Sequence, residues 1–426
     1  MANYYYNGQE SRLERISWRM WIVEIACYIA LVLLTSVSAF SGLSAGTGFP
    51  CFFGTVGESN FGEDLIGNSV QPHHQNGVKI FFMSSIATQF VVFSALFVWL
   101  AIAVYLLVGC IRVKMCNYDP SYGASELSSA VATMTALVAL TISVWAWQVF
   151  VLLLSYRQLT LAAGTFAGIY VAGLAFLGAF ASSGMTPEEY SVFNFQLKTV
   201  CKKVHTVITS FKAVTLNLFA AMIGLWNLVL VLLGAVIMVL NFGVPIPNAT
   251  IGALTIFIVL GLAYLVVIEV LVARYVHVLL GPHIGMIVAL GIAGTSALSY
   301  SETLDAIMYP SWKPVTAGIL GAFAVVVVAL AILRVVRAYR YHKARQSKFI
   351  QKIAAVTESM KPSRGSGGGN RRKRTNNGTA HPKAYYDSVP MEPFRDDPHH
   401  PAPYRPPPEP PQPQDFEEVI YENVPY

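Results

Sequence analysis

Long blocks of apolar residues constrain this chain more than any other feature of its sequence. Hydrophobic residues make up 54% of the 426 residues and charged residues only 12%, about half the charged share of a soluble globular domain. A helix of roughly 20 apolar residues crosses the ~30 Å hydrocarbon core of a bilayer. Because backbone groups in lipid must pair within the protein, these blocks predict transmembrane helices.

Eight such blocks divide the chain. The sequence therefore predicts an all-α, polytopic membrane protein with an eight-helix transmembrane bundle. The first twenty residues lack the apolar region of a signal peptide, so the first span is expected to act as a signal anchor. The predicted spans are 20–40, 86–109, 130–153, 161–181, 214–240, 252–273, 283–300 and 314–333.

The positions of Lys and Arg predict the orientation of the spans, because basic residues concentrate on the cytosolic side. A cytosolic N-terminus leaves only Lys79, Arg157 and Lys313 on the luminal side. An even number of spans then returns the C-terminus to the cytosol. The basic residues assigned to the cytosol before span eight are Arg12, Arg15, Arg19, Arg112, Lys114, Lys198, Lys202, Lys203, Lys212 and Arg274.

The predicted organisation has four parts. A cytosolic N-terminus (1–19) precedes the transmembrane domain (20–333), whose luminal loop is 41–79. A basic juxtamembrane segment (334–356) follows, expected either as an amphipathic helix on anionic lipid or as an extension of span eight. The last part, 357–426, holds 14 of the 23 prolines and a glycine-rich run, which predicts a disordered cytosolic tail.

Cys51 is the one cysteine of five that this topology places in an oxidising compartment. A single luminal cysteine cannot close a bridge within its own loop. It therefore either pairs with another chain or remains a free thiol packed among phenylalanines. The other cysteines are Cys27 in span one and Cys110, Cys116 and Cys201 at or in the cytosolic loops.

Asn248 is a candidate glycosylation site, because Asn248-Ala249-Thr250 forms a luminal sequon. Its position between two adjacent span ends leaves little room for the transferase.

Two acidic residues, Glu24 and Glu269, lie inside predicted spans. A charge at the centre of a span costs about 2.5–3.5 kcal/mol, so such residues are functional candidates. Arg19 and Arg274 lie nearby in sequence, which favours a structural role. The alternatives are a transporter or channel that uses these carboxylates, and a receptor that signals through its basic loops.

Other residues in the spans indicate ordinary helix contacts. Glycine pairs with three intervening residues occur at Gly164 and Gly168 and at Gly281 and Gly285, a spacing that lets helices approach closely. No nucleotide-binding, zinc-protease, serine-hydrolase or Cys-x-x-Cys motif is present, and the nine histidines are scattered. The sequence predicts no enzyme, no cofactor, no metal site and no nucleic-acid partner.

The tail contains two tyrosine motifs of the form Y-x-x-Φ, Tyr386 to Val389 and Tyr421 to Val424. In an extended peptide, the tyrosine and the apolar residue can enter two pockets of an adaptor protein. The pattern is common by chance, but two copies in an exposed tail favour endocytic or Golgi sorting signals read by clathrin adaptors.

Several motifs together resemble the herpesvirus envelope glycoprotein M family, most closely its alphaherpesvirus members. They are Phe49-Pro50-Cys51-Phe52, the segment from Tyr275 to Gly285 that contains Gly-Pro-His-x-Gly, and Arg337-Ala338-Tyr339-Arg340 with Lys348-Phe349 after span eight. The resemblance covers the membrane region nearly end to end and weakens in the tail.

This resemblance implies a non-enzymatic envelope protein that acts as a scaffold in virion assembly and secondary envelopment. It implies an interchain disulfide between Cys51 and the small glycoprotein N, and contacts with other viral envelope and tegument proteins. It further implies location in the virion envelope, trans-Golgi, endosomal and inner nuclear membranes, relocation of envelope proteins, and modulation of membrane fusion. The luminal loop 41–79 differs from the corresponding loop of some family members, because it contains no glycosylation sequon.

Overall fold

A computed structural model describes residues 2–41, 81, 85–116, 124–156, 158–276 and 279–359 of the chain. Within these ranges the regular structure is entirely helical. Most of the predicted luminal loop, including Cys51, lies outside the described residues, as do Tyr386, Val389, Tyr421 and Val424.

Eight described helices are long and apolar enough to cross a membrane, which confirms the predicted fold class and span number. We number them as spans 1 to 8 in chain order. Their bounds are Ser17–Ser41, Ile86–Cys116, Met134–Leu154, Leu159–Ser182, Lys202–Phe242, Ile246–Val272, Gly281–Leu298 and Trp312–Arg340.

Three short helices lie between the spans in the described part of the chain, at Ala124–Val131, Pro187–Val200 and Ser301–Ile307. The second begins with a capping box in which Thr186 and Glu189 each accept the other's backbone N–H, at 3.3 and 2.8 Å. Such a box satisfies two N–H groups that a helix start leaves unpaired. The surrounding sequence is weakly apolar, so these helices were not expected from the hydropathy of the chain.

Span 3 starts four residues later than predicted because the helix breaks at Ala132 and Thr133. The Thr133 hydroxyl accepts the N–H of Ala136 at 3.2 Å and caps the new helix. A threonine at this position satisfies an N–H that would otherwise be unpaired in an apolar setting. The break leaves the carbonyl end of the helix Ala124–Val131 inside the protein.

Span 5 begins at Lys202, twelve residues before the predicted start. Its first turns, Lys202–Thr206, continue through a π-helical segment, Val207–Phe211, into Lys212–Phe242. At about 1.5 Å per residue this helix is longer than a bilayer core is thick. Its basic start therefore extends beyond the apolar block from which the span was predicted.

The last described helix runs without interruption from Trp312 to Ser359. It joins span 8 to the basic juxtamembrane segment in one helix, which is the extension of span eight that the sequence left open as an alternative.

The centre of the bundle is aromatic. Trp226 of span 5 stacks on Trp147 with 5.9 Å between ring centroids and meets Trp99 and Phe166 edge-on at 6.2 and 5.9 Å. All four side chains are buried. Rings in these arrangements are attracted by complementary quadrupoles and supply a large contact area. Four spans therefore meet around one tryptophan.

The two glycine pairs behave differently. A Cβ at Gly281 would overlap the backbone carbonyl of Asn217, and one at Gly285 would overlap that of Ala221. Spans 5 and 7 are therefore in backbone contact, as the spacing predicted. Gly164 and Gly168 have no atom of the described chain within contact distance of such a Cβ, so the contact predicted for them is wrong within this part of the chain.

We expect Gly281→Ala and Gly285→Ala to lower the free energy of unfolding by about 1–3 kcal/mol each, because overpacking forces the two backbones apart. Thermal unfolding in detergent, followed by tryptophan fluorescence, measures this. Gly291→Ala, in the same span but with open space around its Cβ, is the matched control. Equal losses for Gly291→Ala and Gly281→Ala would contradict the backbone contact.

Candidate functional site

Polar side chains from distant parts of the chain gather at one end of the bundle. We call it the basic end, and define it by Cys116 of span 2, Ser182 of span 4, Lys202 of span 5, Gly281 of span 7 and Arg340 of span 8. The sequence analysis assigned this end to the cytosol. Contacts at this end connect seven of the eight spans.

The first group surrounds the carbonyl end of the helix Ala124–Val131. The Tyr105 hydroxyl donates to the Val131 carbonyl at 2.9 Å, and the Trp21 indole N–H donates to the Ala132 carbonyl at 2.8 Å. Both bonds are buried. The break before span 3 removes the helical partners of these carbonyls, and side chains of spans 1 and 2 replace them.

Lys212 belongs to the same group. Its side chain is 1% exposed, and Nζ donates to the Ala130 carbonyl at 3.2 Å and to the Ser183 hydroxyl. The Ser183 hydroxyl also donates to the Ala130 carbonyl at 3.2 Å. Since the carbonyl end of a helix carries partial negative charge, it offsets part of the cost of burying the ammonium.

Two aromatic rings complete the surroundings of Lys212. Nζ lies 5.0 Å from the ring centroid of Phe180 and 5.6 Å from that of Tyr190. Burial raises the pKa of the Tyr190 hydroxyl above its ordinary value, so this ring stays neutral. The ammonium is thus held by carbonyl, hydroxyl and π-electron groups.

Lys212, which the sequence analysis placed in a cytosolic segment before span 5, instead lies within the helix of span 5 and is buried. The residue lies just before the apolar block of span 5, where a lysine ordinarily extends into water. Here Ala130 from one short helix and Tyr190 from the helix Pro187–Val200 cover it. Packing of helices outside the spans, rather than position in the sequence, buries this charge.

Asn217 of span 5 caps the start of span 7. Its Oδ1 accepts the backbone N–H groups of Leu280 and Gly281 at 2.7 and 2.8 Å. Its Nδ2 donates to the Ala213 carbonyl at 2.8 Å. A helix start leaves N–H groups without intrahelical partners, and the close approach permitted by Gly281 brings this amide within reach of them.

Glu269 of span 6 binds two arginines of span 8. Its Oε1 accepts Nη1 of Arg334 at 3.3 Å and Nη1 of Arg337 at 2.7 Å. The Arg334 side chain is 9% exposed, whereas that of Arg337 is 67% exposed. The sequence analysis expected a nearby base such as Arg274, but the partners come from 65 and 68 residues further along the chain.

Arg334 also satisfies the end of span 6. Its Nη2 donates to the carbonyls of Ala273 and Val276 at 3.3 and 2.8 Å. Span 6 ends in a π-helical segment, Ile268–Val272, after which the backbone carbonyls have no helical donor. One guanidinium therefore neutralises a carboxylate and caps a broken helix.

A disulfide joins Cys116 to Cys201, with 6.5 Å between the Cα atoms. It links the end of span 2 to the residue that precedes span 5. The sequence analysis treated these cysteines as separate cytosolic residues and did not anticipate the bond. Cys27 and Cys110 are free thiols.

At the opposite end of the bundle, an ion pair joins the short helix Ser301–Ile307 to the start of span 8. Asp305 accepts Nζ of Lys313 at 2.6 Å and the indole N–H of Trp312 at 2.8 Å. The hydrogen bond from Lys313, followed by that from Trp312, holds the pKa of this carboxyl below its ordinary value. The carboxylate therefore remains ionised on an exposed surface.

The chain matches known proteins throughout its membrane region. The family model described as Herpesvirus glycoprotein M matches residues 14–353. The envelope glycoprotein M of Psittacid herpesvirus 1 is 66% identical over 426 residues, which is the full length of both chains. The chain belongs to the herpesvirus glycoprotein M family. The match to residues 14–353 covers all eight spans of this family member and the contacts described above.

More distant members of the glycoprotein M family align over the same region. The envelope glycoprotein M of Equine herpesvirus 1 is 26% identical over 362 residues, covering 82% of this chain and 80% of its own length. That of Varicella-zoster virus is 28% identical over 366 residues, covering 83% and 82%. No solved structure matches the chain. These relatives confirm the family resemblance seen in the motifs.

Two further residues singled out in the sequence of this glycoprotein M family member lie in the described part. Asn248 is exposed in the first turn of span 6, and no observation tests its glycosylation. Glu24 is partly exposed within span 1. Within the described residues, no three His, Cys, Asp or Glu side chains form a metal-binding group.

The basic end contains several residues that sequence reasoning missed or left unassigned. Lys212, Ser183 and Arg334 are each at least nine-tenths buried. A signal existed for Arg334, since it follows an apolar block at the spacing of one helical turn before Arg337. No signal in the chain joined Lys212 to Ala130, which lies 82 residues earlier.

We expect Arg334→Ala to lower the free energy of unfolding by about 3 kcal/mol or more, because it leaves a carboxylate and two carbonyls without a buried donor. Arg337→Ala removes a charge from the same Glu269 oxygen but at an exposed position, and should cost less than about 1 kcal/mol. Thermal unfolding of both variants in detergent measures the difference. Equal effects would show that the carbonyl contacts of Arg334 contribute nothing.

Proposed function

We propose that this chain is an envelope glycoprotein M that acts as a membrane scaffold in virion assembly and secondary envelopment. Family membership carries the proposal, because the relatives that match over most of their length are named envelope glycoprotein M. The bundle fits a scaffold: its buried arginine and lysine are held by protein groups, and a disulfide ties two of its spans.

We propose glycoprotein N as the covalent partner, bound through an interchain disulfide at Cys51. The distribution of cysteines supports this pairing, because Cys51 is the one cysteine assigned to the lumen. The luminal loop that contains it is also too short to form a hydrophobic core of its own.

The tail would supply the sorting activity of this scaffold. Tyr386 with Val389 and Tyr421 with Val424 would bind clathrin adaptors and direct the protein, with other viral envelope proteins, to trans-Golgi and endosomal membranes. We further propose that the protein resides in the virion envelope and the inner nuclear membrane. There it would contact tegument proteins and modulate membrane fusion. A composition rich in proline supports an extended tail in which such motifs are accessible.

The alternative of a transporter or channel that uses Glu24 or Glu269 is not favoured. Glu269 is bound by Arg334 and Arg337, an arrangement that neutralises a charge rather than offering it to a passing ion. Glu24 lies in span 1, away from this pair in sequence. The described geometry assigns Glu269 to structure.

We expect the wild-type protein, expressed with glycoprotein N, to migrate in non-reducing electrophoresis as a species larger by one small protein. Reduction should abolish this species, and so should Cys51→Ser. Cys27→Ser is the matched control, since it removes a free thiol of span 1. A wild-type monomer in both lanes would contradict the interchain bond.

We expect the double variant Tyr386→Ala and Tyr421→Ala to accumulate at the cell surface, because each change removes the side chain that enters an adaptor pocket. Surface biotinylation and antibody uptake measure the shift. Tyr404→Ala, at a tail tyrosine outside both motifs, serves as the control. Unchanged uptake of the double variant would eliminate the sorting assignment while leaving the Cys51 pairing intact.

A further inference from the structure

A cavity of about 130 Å³ lies between spans 5, 6, 7 and 8, toward the end of the bundle opposite the basic end. Engineered apolar cavities of ~150 Å³ admit a benzene-sized group. The deep wall is apolar and is formed by Leu228 of span 5, Phe257 of span 6 and Leu320 of span 8. Water needs two to four polar partners, which this wall does not offer.

The cavity borders the surrounding lipid. Ile251 lines it and is 52% exposed, so one edge of the cavity lies on the outer surface of span 6. Further in, Phe257 and Phe323 join spans 6 and 8 edge-on, with 5.9 Å between ring centroids. The contact between Phe257 and Phe323 therefore closes the inner side of the cavity between these two spans.

Three hydroxyl side chains, Thr250, Ser296 and Thr316, line the cavity on spans 6, 7 and 8. Each lies about one helical turn from the end of its span. The Ser296 Oγ is buried and has no hydrogen-bond partner among the described residues. A buried hydroxyl without a hydrogen-bond partner is energetically unfavourable. A ligand that offered an acceptor to Ser296, near the edge of the hydrocarbon core, would remove this cost.

Groups at the mouth of the cavity match a lipid headgroup. Trp312 lines the cavity and is the first residue of span 8, and tryptophan is enriched at membrane interfaces. Lys313, next in sequence, has a side chain that is 52% exposed and forms the ion pair with Asp305. The ammonium can contact a phosphate, and the carboxylate can contact a cationic headgroup.

We propose that this cavity binds one acyl chain of a glycerophospholipid from the adjacent leaflet, with its ester carbonyl accepting the Ser296 hydroxyl and its phosphate facing Lys313. The methyl end of the acyl chain packs against the apolar wall at Leu228 and Phe257. The size of the cavity favours a flexible chain over a fused-ring sterol or a helix. This site does not depend on the proposed partner of Cys51.

The test uses the full-length protein in phosphatidylcholine liposomes that contain a phosphatidylcholine with a photoactivatable diazirine on one acyl chain. After irradiation, mass spectrometry locates the labelled peptides. We expect labelling to concentrate on the cavity-lining residues of spans 6, 7 and 8. The exposed face of span 4 around Gly164 and Gly168 provides an internal comparison that requires no variant.

Two variants sharpen the assignment. Ala297→Leu fills the cavity, whereas Ala175→Leu adds the same atoms to an exposed position on span 4. Only the first should reduce labelling of the cavity peptides. Ser296→Ala should reduce it roughly fivefold, the effect of one lost hydrogen bond. Elution as a monodisperse species and the intact bond between Cys116 and Cys201 show that each variant is folded.

Labelling spread evenly over all lipid-facing spans would overturn the proposal, and so would an absence of label from the cavity peptides of the wild-type protein. A photoactivatable sterol that labels these peptides while the phospholipid does not would also overturn it, by assigning the site to a sterol. If Ala297→Leu does not fold, Ala253→Leu on span 6, which lines the same cavity, takes its place.

Discussion

The structure depends on one constraint, which is that backbone groups released by a helix break find no water inside a bilayer. Three consecutive carbonyls, at Ala130, Val131 and Ala132, lose their helical partners before span 3. Side chains of spans 1, 2 and 5, and that of Ser183 directly after span 4, donate to them. The break therefore fixes where spans 1, 2, 4 and 5 must lie, because each has to bring a donor to the same place.

The same constraint acts at the start of span 7 and at the end of span 6. Asn217 supplies the acceptor for the start of span 7, and Arg334 supplies the donor for the end of span 6. Both come from a neighbouring span. These contacts join span 5 to span 7 and span 8 to span 6 at the basic end, while aromatic packing around Trp226 fills the centre.

Charge burial follows from these backbone requirements. A buried ion pair is in general weak evidence for stability, since desolvation can exceed the Coulombic gain. Arg334 is different from an isolated pair, because its guanidinium also binds carbonyls that would otherwise be unsatisfied. Among the described residues, Lys212 binds a helix carbonyl end and a hydroxyl but no carboxylate. In both cases the cation completes the hydrogen bonding of a broken helix.

The sequence by itself determined the eight spans, the all-α class and the glycine contact at Gly281 and Gly285, because hydrophobic length and small-residue spacing are local properties of the chain. Only the tertiary structure decided that Lys212 is buried, that Glu269 binds Arg334 rather than Arg274, and that Gly164 and Gly168 face away from the described helices. These outcomes depend on which helices pack together, and the residues concerned lie tens of positions apart. Hydropathy records which segments leave water, but it contains no information on which neighbour each segment meets.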